Sequence, residues 1–409
     1  MKVKPDAGPP RTAPRTQAQK PTRKPSKPSK PNKPNKPNKP TKPHAVPPRG
    51  PAVAKPPLLQ SARFRWISFS LVLLVVTALS AVFVVRAIND QQRRLIPTAA
   101  TKRDRALDLG SVLDAPHIVF RSTSPGPTYG IMAAVPLTDP SGNRSVSNLS
   151  CERVYANGVA GICLSADRGV LTTYKGELLD GRLAPVGELP VNGSPSRARL
   201  SSDGSLSSST VFLAGHGYGT IGFSTETVIY DRSRHYSYGN LEKTFTTVIN
   251  GKRSTAADLN VWGVTFEPGP KPTKFYATVA TGGTTWLAAG DLAKRTLSAL
   301  QTDVECPSLS PDGKVIVFKK RNGSPIKWRY HALDLTTGRI WPLAETRSVD
   351  DQAEWVDDSH VVYGLQRSGT GQSDVWQVAV RGTAKPTILI PDASSPAVVH
   401  AAAPPAGRT

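Results

Sequence analysis

Cysteine is scarce in this 409-residue chain. Cys151, Cys163 and Cys306 are the whole set, and none falls in paired CxxC units, which argues against a structural zinc site. The seven histidines form neither an HExxH pair nor an i, i+4 pair in a helical context, and no serine sits in a GxSxG elbow. Zinc-dependent and serine-elbow hydrolysis therefore have no visible signature. Acid is almost missing from residues 1–65, which hold 17 Lys and Arg against Asp6 alone. That segment carries +16 of the formal +22, so the basic balance is mainly a property of one end, and the remainder keeps only +6. Long apolar runs are also missing, with one exception.

What is present divides the chain. From Lys24 to Pro43 a three-residue unit repeats, Lys-Pro-Ser or Lys-Pro-Asn, with Thr in the last copy. Proline at every third position fixes φ and removes amide donors, which suits polyproline II and forbids helix and sheet. Residues 1–65 are expected to be a disordered, basic, cytoplasmic tether. The exception follows: Trp66 to Val85 is uncharged over 20 residues, enough to cross a bilayer's hydrocarbon core. Arg63, Arg65 and Arg86 flank it. The positive-inside rule then places the N-terminus in the cytoplasm and the rest of the chain outside. A cleaved signal peptide is the competing reading, with Ala78 and Ser80 as small residues, but the apolar run continues past Ser80. The expected order is a transmembrane helix over 66–86, a polar stalk over 87–115, an all-β domain over 116–400 and a disordered end over 401–409.

The β-rich part is repetitive. A strand, a Ser-Pro-Asp-Gly-like turn and a second strand are clearest in CPSLSPDGKVIVFKKR, residues 306–321. Looser copies are ARLSSDGSLSSSTVFLA (198–214), AEWVDDSHVVYGLQR (353–367) and ICLSADRGVLTTY (162–174). A second kind of tight turn recurs near Asp139, Asp180, Asp231, Asp291, Asp334 and Gly382, at intervals of about 41, 51, 60, 43 and 48 residues. Four short strands with their turns need about 40–50 residues, the size of a propeller blade. Six turns predict a six-bladed β-propeller, and the longer intervals predict insertions in blades 3 and 4. The turn residues need only a local explanation: Asp bonds its own backbone and Gly supplies positive φ.

SLSPDGKVIVF followed by DLTTG resembles the TolB-type propeller repeat, and the stretch 117–400 resembles membrane-anchored TolB-like proteins of high-GC Gram-positive bacteria. The resemblance implies a propeller adaptor that binds cell-envelope proteins. It departs from TolB in replacing the N-terminal domain with an anchor and a tail. A Gram-positive-type envelope would also lack the outer-membrane lipoprotein partner.

Three motifs remain. Cys151 and Cys163 bracket a β-run, a Gly-rich turn (Asn157, Gly158, Gly161) and a second β-run, which predicts neighbouring strands and a disulfide worth about 3 kcal/mol by loop entropy. Cys306 is then left as a buried thiol in an innermost strand. Gly217, Gly219 and Gly222 match GxGxxG, but a strand-like FSTETVIYD follows, so a hairpin is expected rather than a dinucleotide site. Finally, aligning the repeats on their turns puts Ser196, Glu305 and Asp351 in equivalent places. The same alignment matches Arg197 with Cys306 and Gln352, and Arg199 with Ser308 and Glu354. The entering segment RSVDDQAEW adds Arg347 and Asp350, so that Arg197, Arg199, Glu305, Arg347, Asp350 and Asp351 are expected at one mouth of the central channel. An inter-blade salt-bridge ring and a site for a peptide terminus, a cation or a glycan are both open readings.

The expected role is a membrane-anchored interaction module with no catalytic residue, metal or cofactor, whose partners are envelope proteins or wall polymer. An envelope enzyme acting through the channel, or a sensory role, is the alternative. The tail would contact anionic lipid at about 1 kcal/mol per basic residue near the surface; nucleic acid is a weaker candidate.

Overall fold

The computed structural model describes residues 62–95, 104, 106–169, 171–214, 222–323 and 326–400. The Lys-Pro repeat, the last nine residues, and Gly217 and Gly219 of the GxGxxG match lie outside them.

Helix α1 spans Ala62–Leu95, 34 residues. Its 27-residue stretch Arg63–Asn89 reaches a mean hydropathy of 2.6 over its most apolar 18 residues, long and apolar enough to cross a membrane. The helix is longer than the expected 66–86. Good helix formers such as Gln91, Gln92, Arg93 and Arg94 prolong it, and Pro97 follows two residues after its end.

The β-rich part forms six sheets. Blade 1 combines β1 (His117–Ser122), β2 (Ile131–Pro136) and β3 (Ser145–Ser150) with the last strand, β26 (Ala393–Val399). β26 pairs antiparallel with β1, His117 opposite Val399 and Ser122 opposite Ala393, so the end of the domain closes the ring onto its beginning. The innermost strands of blades 2 to 6 are β4 (Arg153–Ala156), β8 (Ser194–Leu200), β14 (Asn260–Phe266), β18 (Glu305–Leu309) and β22 (Glu354–Trp355). The molecule is the six-bladed propeller that the turn spacing predicts.

The turns behave as local chemistry requires. Ser310 Oγ donates to Asp312 at 2.6 Å and accepts from Val315 N at 2.9 Å, while Gly313 takes φ +74. Asp231, Asp291 and Asp334 each accept from the backbone N–H three residues on. One copy of the first turn was misplaced. In blade 2 that turn is Asn157–Val159, where Asn157 Oδ1 accepts from Val159 N and Ala160 N. The stretch 162–174 instead spans the far end of β5 (Ala160–Arg168) and β6 (Thr172–Asp180). Asn157 stands where the other copies have an acid, and Asp167, the acid of the expected copy, lies on β5.

The long 60-residue interval belongs to blade 4. After blade 3 the chain forms a one-turn helix, α3 (Leu241–Thr244), then β12 (Thr246–Ile249) and β13 (Lys252–Arg253). β12 runs parallel to β17 (Thr296–Thr302), giving that blade six strands.

Apolar packing lies in the crevices between blades. Leu206 and Ile229 of blade 3 meet Val261 and Val264 of blade 4, and Tyr330 of blade 5 meets Tyr363 of blade 6. Burial of a side chain of this size contributes about 1.5–3 kcal/mol. The expected polar stalk is only partly a spacer. Helix α2 (Leu109–Leu113) is capped by Asp108, which accepts from Ser111 N at 2.9 Å, and it buries Val112 and Leu113. Upstream, buried Asp104 pairs with the fully buried Arg144 at 3.4 Å and accepts from Thr128. Apolar residues at Leu109, Val112 and Leu113 made this docking possible.

Cys151 and Cys163 form a disulfide with Cα atoms 5.5 Å apart. Cys163 lies on β5 opposite Val154, while Cys151 sits in the link from blade 1 to blade 2, its N–H donating to Gly130 O at 2.9 Å. The bridge thus pins the crossover between blades. Cys306 is a buried free thiol on β18.

Candidate functional site

The innermost strands bring polar side chains onto the axis. Blades 3 and 6 face each other across it, and β8 spans the gap. Arg197 Nη2 donates to Asp350 Oδ1 at 3.0 Å, and Arg199 pairs with Glu354. Arg199 also donates to Ala353 O at 2.9 Å and lies over the Tyr155 ring at 4.7 Å. Tyr155 Oη donates to Glu354 Oε1 at 2.9 Å, joining blade 2 to the same group. Gln352 Nε2 donates to Val264 O and Pro307 O, reaching blades 4 and 5.

Two tiers result. At the end where the chain enters its innermost strands, Lys319 adds a second cation to Asp350 at 2.5 Å. Lys319 is fully buried, sits over the Trp328 ring at 4.7 Å, and is the cross-strand neighbour of Glu305. Glu305, also buried, is held by Arg321. Asp351 accepts from Gly364 N at 2.8 Å and lies 3.9 Å from Arg153. Deeper, the Arg199, Glu354 and Tyr155 group fills the axis. The space left beside it is about 20 Å³, room for about one water molecule. Beyond that group the axis widens into a bowl of about 280 Å³ walled by Phe266, Leu309, Pro311, Trp355 and Val398.

The charges are tuned by this packing. Asp350 keeps 44% of its side chain exposed at the mouth. Desolvation raises its carboxyl, but Lys319 and Arg197 outweigh that and hold it well below the usual carboxylate range. Burial pulls the Lys319 ammonium down, and Asp350 overcomes it, leaving the value raised. Burial lifts the Glu354 carboxyl above its ordinary value, against the pull of Arg199. Such a buried pair is not a large net stabiliser, yet removing one partner strands the other, at about 3–5 kcal/mol.

Of the six residues grouped from sequence, five gather along this axis and one does not. Arg347 lies between blades 5 and 6: its guanidinium bonds Glu345 Oε2 at 2.6 Å and stacks 3.7 Å over Trp376. Arg347 belongs to the segment entering the innermost strand of blade 6, and that segment still lies in the crevice at Arg347 and reaches the axis only at Asp350. Turn alignment also missed Lys319, Arg321, Arg153 and Tyr155, which come from second strands or from blade 2. Register shifts in β8 between Pro195 and Arg197, and in β18 between Glu305 and Ser308, offset the aligned positions. Among the described residues no group of three or more His, Cys, Asp or Glu is placed to hold a metal ion. The GxGxxG segment joins antiparallel strands, Ala214 opposite Ser224, so no helix follows it.

No protein-family model matches the chain, and no curated protein matches it. Among solved structures it is similar to TolB from Acinetobacter baumannii, at 16% identity and TM-score 0.46, over 69% of this chain and 66% of that one. It is also similar to a TolB-like protein from Agrobacterium tumefaciens, at 9% identity and TM-score 0.40, over 68% and 90% of the two chains. The propeller domain of the Trilobed protease from Pyrococcus furiosus matches at 12% identity and TM-score 0.32, over 55% and 67%. This chain therefore spans 66% of the length of the Acinetobacter TolB. At these identities the likeness is one of fold alone; the six blades stand on the strand pairings above.

Proposed function

We propose that this chain is a membrane-anchored interaction module: α1 holds it in the plasma membrane with its N-terminus in the cytoplasm, and the propeller lies outside, where it binds envelope proteins or wall polymer. The observation that carries the reading is the plugged axis. Arg197–Asp350 and Arg199–Glu354 close the middle of the axis, above the bowl, and among the described residues the charges there stand in ion pairs. What such a surface offers is a rigid disc whose exposed mouth presents Asp350. The disulfide supports the outer placement, because bridges persist in oxidising compartments. The basic flank at Arg63 and Arg65 supports the orientation.

Crosslinking in intact cells, with recovery of the full chain and mass spectrometry, tests the reading. The expected result is reproducible capture of envelope components by the wild type and reduced capture by Asp350→Arg. Turnover of a glycan or peptide substrate by the purified chain would instead establish the enzyme.

A further inference from the structure

The axial bowl offers an occupant apolar walls and little else. Arg199 and Glu354, at its floor, are paired with each other. The polar groups of the wall are engaged by their own turns. Asn157 Nδ2 donates to Ser201 O at 2.7 Å and Ser202 O at 3.2 Å, and Trp355 Nε1 donates to Ser308 O at 3.1 Å. Thr265 Oγ1 accepts from Leu309 N at 3.1 Å, and the Ser201 hydroxyl donates to Asp203 at 2.7 Å. Such a surface favours an uncharged, apolar occupant with few N–H groups, because a donor buried without a partner is costly.

The topology delivers one such segment to the bowl. In blades 2 to 6 the innermost strand is followed by a turn into the second strand, which carries the chain away from the axis. Blade 1 differs. Its innermost strand, β26, comes from the end of the domain, and its second strand, β1, from the beginning. After β26, the last strand among the described residues, the chain therefore has no second strand to enter and leaves from the axis itself. The Val398 N–H faces the Glu354 carboxylate at the floor, and His400 lines the bowl. The sequence continues as Ala401-Ala402-Ala403-Pro404-Pro405-Ala406-Gly407 before its next charge, Arg408. This stretch is uncharged and apolar, and its two prolines carry no N–H.

We propose that residues 401–409 turn back and seat Pro404 and Pro405 in the bowl, closing the face of the ring opposite the Asp350 mouth. The three alanines give about 10 Å of chain in which to reverse direction. A Pro-Pro pair is pre-set to polyproline II, the form that aromatic-lined grooves take up. Phe266, Pro311 and Trp355 supply such a groove. Tethered at the wall of the bowl, the segment acts at an effective concentration on the order of mM, so a weak fit holds it where a free peptide would need a tighter one. A partner docking on this face has to displace it, while the mouth stays open. The inference goes beyond the reading above and does not depend on the anchor.

The test labels the full chain in nanodiscs with bimane at Ala406→Cys, where contact with the Trp355 indole quenches the dye. Cys306 is buried and Cys151 is bridged to Cys163, so the added thiol is the one that reacts. The expected emission is about threefold or more below that of the free labelled peptide 401–409, as tethering predicts. Trp355→Phe, which keeps an aromatic wall, should restore it. Pro404→Asp with Pro405→Asp should restore it too, and this pair changes nothing in the folded ring. The proposal is overturned if the dye is as bright on the full chain as on the free peptide, or if the Pro-to-Asp pair leaves it quenched. It is also overturned if the free labelled peptide is quenched equally by the full chain and by a chain ending at His400. The bowl would then be open to a peptide from outside.

Discussion

Two carboxylates in the ring are pushed in opposite directions, and their surroundings say why. Asp350, at the axial mouth, faces Lys319 and Arg197, and the two cations hold it well below its ordinary range against the desolvation that raises it. Glu242, in α3 between blades 3 and 4, meets only neutral donors: Thr225 Oγ1 at 3.0 Å, Val261 N at 3.0 Å and Thr227 N at 3.3 Å. Burial pushes its carboxyl up to about 7, and these bonds only moderate the rise. The polar half of the ring thus uses charge to tie opposite blades together. The apolar half, built on fully buried side chains such as Trp262 and Val261, accommodates one carboxylate at a cost. Similar blades can therefore be fastened by different physics.

The comparison breaks most readily at Glu354. Glu354→Ala leaves the Arg199 guanidinium buried beside Tyr155, and should destabilise the chain by about 3–5 kcal/mol in urea unfolding. A loss under about 1 kcal/mol would mean that the axis is wet and the pair is worth no more than a surface one. Replacing Cys151 and Cys163 together by Ser touches neither half. It should cost about 3 kcal/mol through the unfolded chain, with the pH dependence of stability unchanged. A changed pH profile would show that the crossover from blade 1 to blade 2 positions the axial charges.

The pH dependence sharpens the contrast. Glu242 has a folded value of about 7 against an ordinary 4.5, so its contribution is fully present below 4.5 and is lost as pH rises through about 7. Glu242→Gln should flatten that decline, which is worth on the order of 3 kcal/mol. Asp350 runs the other way: its contribution is present above 3.8 and is lost as pH falls below it. Equal slopes in wild type and Glu242→Gln between pH 4.5 and 7 would remove the distinction between the two sites.

Much of the fold was legible because its punctuation is local. Asp231, Asp291, Asp334 and the Ser310–Gly313 turn close bonds within a few residues, so their spacing alone counts blades. Blade 2 was harder, since Asn157 performs the same task without an acid. The axial site was legible only where strands run regularly from turn to centre. Arg197 follows from that register and Asp350 from the segment entering the innermost strand, while bulges in β8 and β18 displaced the aligned neighbours. Lys319 comes from the second strand of its blade and carried no positional signal. Arg347 looked equivalent to its neighbours in sequence, but the Trp376 ring and Glu345 draw it to the crevice, a contact that no spacing encodes.

Arg199 and Glu354 are 155 residues apart and meet only if blades 3 and 6 oppose each other across a closed ring. A double-mutant cycle with Arg199→Ala and Glu354→Ala, read by urea unfolding of the full chain, reports on that meeting. A coupling of about 2 kcal/mol or more is expected. Strict additivity of the two substitutions would contradict the plugged, six-bladed ring.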